Sequence, residues 1–115
     1  MNRYLAKLMF SVHVEGDAGI GEFDEQIRIV ESLNMEGAFY KSRAVGKKEE
    51  GNITDNENKK IEWRFIDVLE LYAIEEVKDG GQLYSSTHKT DDSSSYINYI
   101  RQKSMEIQAK NLTFV

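Results

Sequence analysis

The sequence contains neither cysteine nor proline. Without cysteine, the chain can form no disulfide, no thiolate metal site and no cysteine nucleophile. Without proline, slow folding from a native cis-proline is excluded. No apolar run approaches the length of a membrane span, and no basic region followed by an apolar stretch opens the chain. We therefore expect a cytoplasmic protein.

The composition is typical of a small globular domain. Of the 115 residues, 40% are hydrophobic and 30% are charged, so we expect one folded domain over 1–115. The formal net charge is -5, and the acidic residues are spread along the chain rather than gathered in a tail. Because an acidic surface repels phosphate backbones, nucleic acid is a poor candidate partner, and nothing predicts a membrane partner.

Hydrophobic periodicity predicts two strands and a helix in the first half. Alternation over Tyr4–Val14 and Phe23–Glu31, with the glycine-rich segment 15–22 between them, predicts an antiparallel hairpin. Apolar residues at three- and four-residue steps predict a helix over Met35–Glu49, which Asn34 can cap. The second strand carries apolar side chains on one face, namely Phe23, Ile27 and Ile29.

The second half holds the longest predicted strand. The run over 60–74 contains the only tryptophan and many β-branched and aromatic residues, which predicts a strand through the middle of a sheet. The polar segment 52–60 before it predicts a loop. After it, Asp-Gly-Gly at 79–81 predicts a turn, 82–89 a fourth strand and 95–109 a second helix.

These elements predict an α+β fold. We expect a four-stranded antiparallel sheet in β-β-α-β-β-α order with two helices packed on one face. The residues at 110–115 end in apolar side chains and predict a tail that either docks on the body or frays.

Four segments resemble a bacterial family catalogued as domain of unknown function 4288. They are Tyr4–Phe10, Phe23–Ile29, Trp63–Tyr72 and Asp79–Ser85. Their order and spacing fit the family, and the resemblance extends from about Tyr4 to Arg101. It implies a compact bacterial cytoplasmic domain, and it implies no activity, cofactor or site residue.

Asp67 interrupts an apolar run, where a carboxylate is costly unless it is paired or hydrogen-bonded. One interpretation is a bulge or turn aspartate that binds backbone N–H groups, Arg64 or Arg28. The other is an acid–base or ligand-anchoring carboxylate. In that case a small-molecule-binding or enzymatic site would lie between sheet and helices, around Asp67, Arg64 and Tyr84.

Other candidate groups predict no chemistry. The only histidines, His13 and His88, lie in no close-spaced metal motif, and each suits an exposed strand position. The glycines at 16, 19 and 21 precede a strand rather than a helix, so they do not form a phosphate loop. The sequence therefore predicts no catalytic residue, no metal site and no cofactor.

The remaining hypothesis concerns the sheet face that two helices on the opposite side would leave uncovered. On the predicted register this face carries an apolar patch of Leu5, Met9, Ile66, Val68 and Tyr72. We therefore expect a non-enzymatic protein-interaction module that self-associates, most simply as a homodimer through sheet faces or edges. An unidentified protein partner fits the same surface, and the ligand-binding or enzymatic domain is the alternative.

Overall fold

The computed structural model describes residues 1–17 and 19–111. The structure has two compact units, Met1–Tyr84 and the segment from Ser85 onward, and one domain over 1–115 stays a prediction. The elements are β1 (Asn2–Val14), β2 (Glu22–Ser32), α1 (Met35–Lys48), β3 (Gly51–Thr54), β4 (Lys60–Ile74) and α2 (Ser93–Asn111). The α+β fold class is confirmed, with a four-stranded antiparallel sheet and two helices in β-β-α-β-β-α order.

β1 and β2 form the predicted antiparallel hairpin. Their residues pair without a register shift from Asn2 opposite Ser32 to Val12 opposite Glu22. The even-numbered side chains of β1 enter the core, and the buried ones are Tyr4, Ala6, Leu8 and Phe10. In the sheet order β2-β1-β4-β3, β2 is an edge strand.

α1 packs on the face of the sheet that these even-numbered side chains form. The helix begins after Asn34, whose side-chain Oδ1 accepts a hydrogen bond from the Gly37 N–H at 2.8 Å, as predicted. Ala38 is fully buried against Tyr4 and Val30. Two residues before the helix ends, Gly46 lies so close to the Phe65 ring that a Cβ added to it would overlap the ring.

β4 is the long strand that the sequence predicts, and it pairs with β1 along most of its length. Two register shifts leave Ile66 and Leu69 without an opposite residue in β1. The predicted bulge near Asp67 is therefore confirmed. Side chains alternate between the two faces of a strand, so each extra residue in β4 reverses the alternation. The residues beyond it therefore lie on the opposite face from the one that unbroken alternation predicts.

The fourth strand is β3, not the predicted strand over 82–89. β3 pairs with Lys60–Trp63 across a turn held by Asp55, whose Oδ1 accepts the N–H groups of Glu57 and Lys59, both at 2.9 Å. The prediction of a loop over 52–60 is thus wrong for its first three residues.

The prediction of a strand over 82–89 is also wrong, since these residues have no regular structure. The turn before them does form, with Gly80 at a positive φ of 78°. However, Leu83 and Tyr84 are adjacent and are the only large apolar residues of the segment, so they cannot form an alternating face. The serine, threonine and histidine residues that follow favour local hydrogen bonds over a ladder.

The short length of β3 leaves much of β4 at the border of the sheet. β3 covers only Lys60–Trp63, so among the described residues no strand pairs with the outer side of 64–74. The predicted central position of β4 holds for its first four residues only. The two bulges distort the remaining edge, a feature that discourages pairing with another chain.

The second unit contains α2, which begins two residues earlier and ends two residues later than the helix predicted over 95–109. Asp92 caps it, with Oδ1 accepting the Ser95 N–H at 3.1 Å and Oδ2 accepting the Ser95 hydroxyl at 2.8 Å. From residue 112 on, the predicted tail over 110–115 lies outside the described residues. Of the helices in the described part of the chain, none has the length and apolar character needed to cross a membrane.

Candidate functional site

Asp67 lies next to the bulged residue Ile66 and pairs with α1. Its carboxylate accepts hydrogen bonds from Arg43 Nε at 3.0 Å and Arg43 Nη2 at 3.1 Å, and from the Val68 N–H at 2.8 Å. Of the two interpretations, these bonds match the bulge aspartate, but its arginine partner is Arg43 rather than Arg64 or Arg28.

The pKa of Asp67 follows from these bonds. The hydrogen bond from Arg43, and then the one from the Val68 N–H, hold the pKa of the Asp67 carboxyl below its usual value. A general acid–base group at neutral pH needs a carboxyl pKa raised towards 7, and this one is shifted the other way. The arrangement is suited to holding α1 against β4 rather than to moving protons.

The other two residues of the predicted ligand site bind different partners. The Arg64 guanidinium pairs with the Glu62 carboxylate on the same strand. The ring of Tyr84 packs edge-on against Tyr72, with 5.1 Å between the ring centroids. Within residues 1–17 and 19–111, no hydrogen bond joins the side chains of Asp67, Arg64 and Tyr84, and a ligand site there stays a prediction.

The surface beside Asp67 has an open depression of about 360 Å³. Its charged lining includes Arg43 and Asp67, which already bind each other. Beneath it the core is filled, because the Phe65 ring packs against Phe10 with 5.5 Å between centroids and against the backbone of Gly46. A binding pocket needs free convergent polar groups in a deep cavity, and this depression offers neither.

On the opposite face of the sheet, four polar and aromatic side chains form an ion cluster: Lys7, Glu70, Tyr72 and Tyr84. Lys7 Nζ lies 2.9 Å from Glu70 Oε2 and 5.2 Å from the centroid of the Tyr84 ring. The hydrogen bond with Glu70 raises the pKa of Lys7, and the same bond lowers the pKa of Glu70. Loss of solvent, and then hydrogen bonding to Glu70, raises the pKa of Tyr72 to about 12.

The ion cluster closes the centre of this face. Lys7, Glu70 and Tyr72 keep their ordinary charge states at neutral pH, because each of their pKa shifts favours the form already present. Leu5, opposite Tyr72 on β1, is only 6% exposed. This part of the face is therefore internally paired and offers neither a reactive group nor a large apolar contact.

The predicted interface residues do not share one patch. Leu5 is buried, Met9 is half-buried, and Tyr72 belongs to the ion cluster. Val68 packs instead against the core residues beneath α1, while Ile66 lines the depression beside α1. The predicted register assumed unbroken alternation along β4, and the two extra residues move Val68 and Ile66 to the helix side.

The exposed apolar surface lies on β2 instead. Its odd-numbered side chains point away from α1, and 62% of Phe23, 57% of Ile27 and 60% of Ile29 is exposed. We call these three residues, together with Glu25 and Glu31, the open face of β2. The alternation in the sequence predicts that the three apolar residues share a face, but it carries no signal for whether that face is covered.

The even-numbered side chains of β2 show why the open face is open. Val30 is buried against Ala38 of α1, and Arg28 Nη2 lies 3.4 Å from Glu49 Oε1 just past the helix. α1 thus covers one face of β2 only. Sequence reasoning placed the uncovered apolar surface on β1 and β4, whereas the structure has it on the edge strand.

The histidines take no part in a metal-binding arrangement. His13 is opposite Glu62 in the sheet, and His88 Nε2 lies 3.5 Å from the Ser86 hydroxyl. In the described part of the chain, no group of three or more histidine, aspartate and glutamate side chains could hold a metal ion.

Comparison with known proteins identifies the first unit. The model of a family described as Domain of unknown function (DUF4288) matches residues 3–85. No curated protein and no solved structure matches the chain. The match takes in β1 to β4 and α1 and ends before α2, so it stops short of the predicted limit near Arg101. Because the match covers well over half of its length, the chain belongs to the family of domains of unknown function DUF4288.

Proposed function

We propose that this chain is a non-enzymatic protein-interaction module that self-associates through the open face of β2. The observation that carries the proposal is the exposure of Phe23, Ile27 and Ile29, each more than half exposed on one strand. Large apolar side chains grouped in this way usually mark an association surface, since burying them releases ordered water.

The charged groups elsewhere in the first unit support an interaction role over an enzymatic one. Asp67 is held by Arg43, and Glu70 is held by Lys7. The pKa shifts of both carboxyls are downward, which keeps them ionised and unsuited to proton transfer at neutral pH.

The two unpaired sheet edges also differ in a way that favours β2. β2 pairs with β1 in an unbroken register over eleven residue pairs, so its outer edge is regular. The outer edge of β4 carries two bulges. A strand without bulges keeps its apolar side chains on one continuous face, which favours contact between that face and a second chain.

The test is the oligomeric state of the full chain at tens of micromolar, measured by light scattering coupled to size exclusion. We expect a dimer for the unaltered protein and a monomer for Ile27→Glu. The matched control is Ile53→Glu, because Ile53 is an isoleucine of similar exposure, 55%, on the other edge strand.

The control variant should remain dimeric, and both variants should keep the circular dichroism spectrum of the folded protein. A monomeric unaltered protein would contradict the proposal. So would equal loss of the dimer in both variants, since that would show no special role for the open face of β2.

A further inference from the structure

We propose that in the dimer α2 of one copy lies on the open face of β2 of the other copy, and that the two copies exchange this contact reciprocally. The inference deepens the proposed function and rests on it, because it names the element that covers the exposed side chains of β2.

α2 carries an apolar stripe that its own unit does not bury. Ile97, Ile100 and Ile107 recur at helical spacing and are 45%, 49% and 64% exposed. None of the 19 residues of α2 is buried. Most of the stability of a helix in a protein comes from the packing of its apolar face, so we expect this stripe to be covered in the assembled protein.

The charges of the two elements are complementary. α2 contains three basic residues and one acidic residue, whereas β2 contains four acidic residues and one basic residue. Opposite charges bring such surfaces together in the right orientation, and the like charges on two β2 strands disfavour their direct pairing.

The positions of these charges strengthen the argument. A step of four residues along a helix overshoots a full turn and a step of three falls short of it. Arg101, four after Ile97, therefore flanks the stripe on one side, and Lys103, three after Ile100, flanks it on the other. The acidic residue Glu106 is on the back of the helix. On β2, Glu25 and Glu31 lie beside the apolar residues of the open face.

The lengths of the two surfaces also match. The stripe from Ile97 to Ile107 runs for ~15 Å at the rise of an α-helix, and the apolar residues from Phe23 to Ile29 run for ~20 Å along a strand. Each copy carries one stripe and one open face. A two-fold exchange therefore covers both stripes and both faces and closes the assembly at two copies.

The absence of cysteine allows a direct test by engineered cross-linking. Full-length Ile27→Cys and a mass-tagged full-length Ile100→Cys are mixed and oxidised under mild conditions. Each substitution replaces isoleucine by cysteine, which is also apolar though smaller, so the contact stays apolar. We expect a covalent heterodimer between the two variants as the main product, identified by mass spectrometry. The matched control replaces Ile100→Cys with Glu106→Cys, on the back of the helix, and should give at least tenfold less heterodimer.

A second measurement tests the charge complementarity. Lys103→Glu should weaken dimerisation on the order of tenfold, because it places a like charge beside Glu25 or Glu31. Combining it with Glu25→Lys and Glu31→Lys should restore most of the affinity. A loss of affinity that the reversed charges on β2 do not restore would contradict the contact.

The outcomes separate the two proposals. A dimer that gives no Ile27→Cys with Ile100→Cys product overturns this inference and leaves the proposed function standing. The same holds if Ile27→Cys links mainly to itself, which indicates pairing of two β2 strands. A variant with both cysteines that links within a monomer overturns both proposals, because α2 then covers the open face of β2 in its own copy. An unaltered protein that is monomeric overturns both proposals.

Discussion

Replacing Gly46 by alanine tests how closely α1 approaches the sheet. Gly46 is buried, and a Cβ built there would stand 2.6 Å from Cζ of Phe65 and nearer still to two other ring carbons. Real Cβ atoms do not approach other heavy atoms within 3.0 Å. The ring has little room to retreat, because it packs against the fully buried Phe10.

Two effects of opposite sign set the magnitude. Alanine is favoured over glycine inside a helix by ~1 kcal/mol. An extra methyl group in a filled core costs ~1–3 kcal/mol, and an overlap this deep with an aromatic ring belongs at the upper limit. We therefore expect Gly46→Ala to lower the free energy of unfolding by about 2 kcal/mol, which lowers the melting temperature by roughly 10 °C for a unit of this size.

The assay is urea denaturation followed by the fluorescence of Trp63, the only tryptophan, whose ring packs edge-on against Phe10 with 6.1 Å between centroids. Gly51→Ala is the matched control, because no atom lies within 4 Å of the Cβ it would add. The control should change the free energy of unfolding by less than about 0.5 kcal/mol.

The result that refutes the reasoning is a Gly46→Ala protein as stable as the unaltered one or more stable, as helix propensity alone predicts. A double variant with Phe65→Leu gives a second check. If the ring is the obstacle, Gly46→Ala should cost less in the Phe65→Leu background, and purely additive effects would contradict the contact.

Three further outcomes follow from the same geometry. Leu8→Ala, at a fully buried core position, should lower the free energy of unfolding by ~2–5 kcal/mol in urea titrations, and a loss under 1 kcal/mol would show that the core is loosely packed. Asn34→Ala removes the cap on Gly37 and should cost ~1 kcal/mol, whereas Asn34→Asp should cost almost nothing. For Asp67 the hydrogen bond from Arg43 lowers the carboxyl pKa, so the ion pair stabilises the fold at pH 7 and this contribution disappears as the pH falls through the lowered pKa. The unfolding midpoint of the unaltered protein should therefore exceed that of Asp67→Asn at pH 7, and the difference should shrink as the pH falls from the ordinary carboxyl pKa through the lowered one. A difference independent of pH would contradict the assignment.

Several elements could be predicted because their patterns involve neighbours along the chain. Alternation predicted β1 and β2, and β-branched and aromatic content predicted β4. Helical spacing predicted α1 and α2, the first with Asn34 as its cap. Such a strand or helix can be predicted without knowing what it packs against, because the local pattern of its residues is sufficient for the assignment.

The identity of the fourth strand could not be predicted in the same way. β3 is four exposed residues with little apolar character, and it exists because the turn at Asp55 brings it against the start of β4. The segment 82–89 had the stronger strand composition, but it lacks an alternating face to bury. Pairing between strands depends on turn geometry and register, which composition does not record.

The candidate interaction surface shows the same division. Spacing alone placed Phe23, Ile27 and Ile29 on one side of β2, since that follows from the pleat of any strand. That this side is open follows from contacts across the fold, because α1 packs on the other side of β2 and buries Val30. On β4, two bulges place Val68 against the core on the helix side of the sheet. Such contacts join residues far apart in the chain, and their register is determined by packing rather than by local pattern.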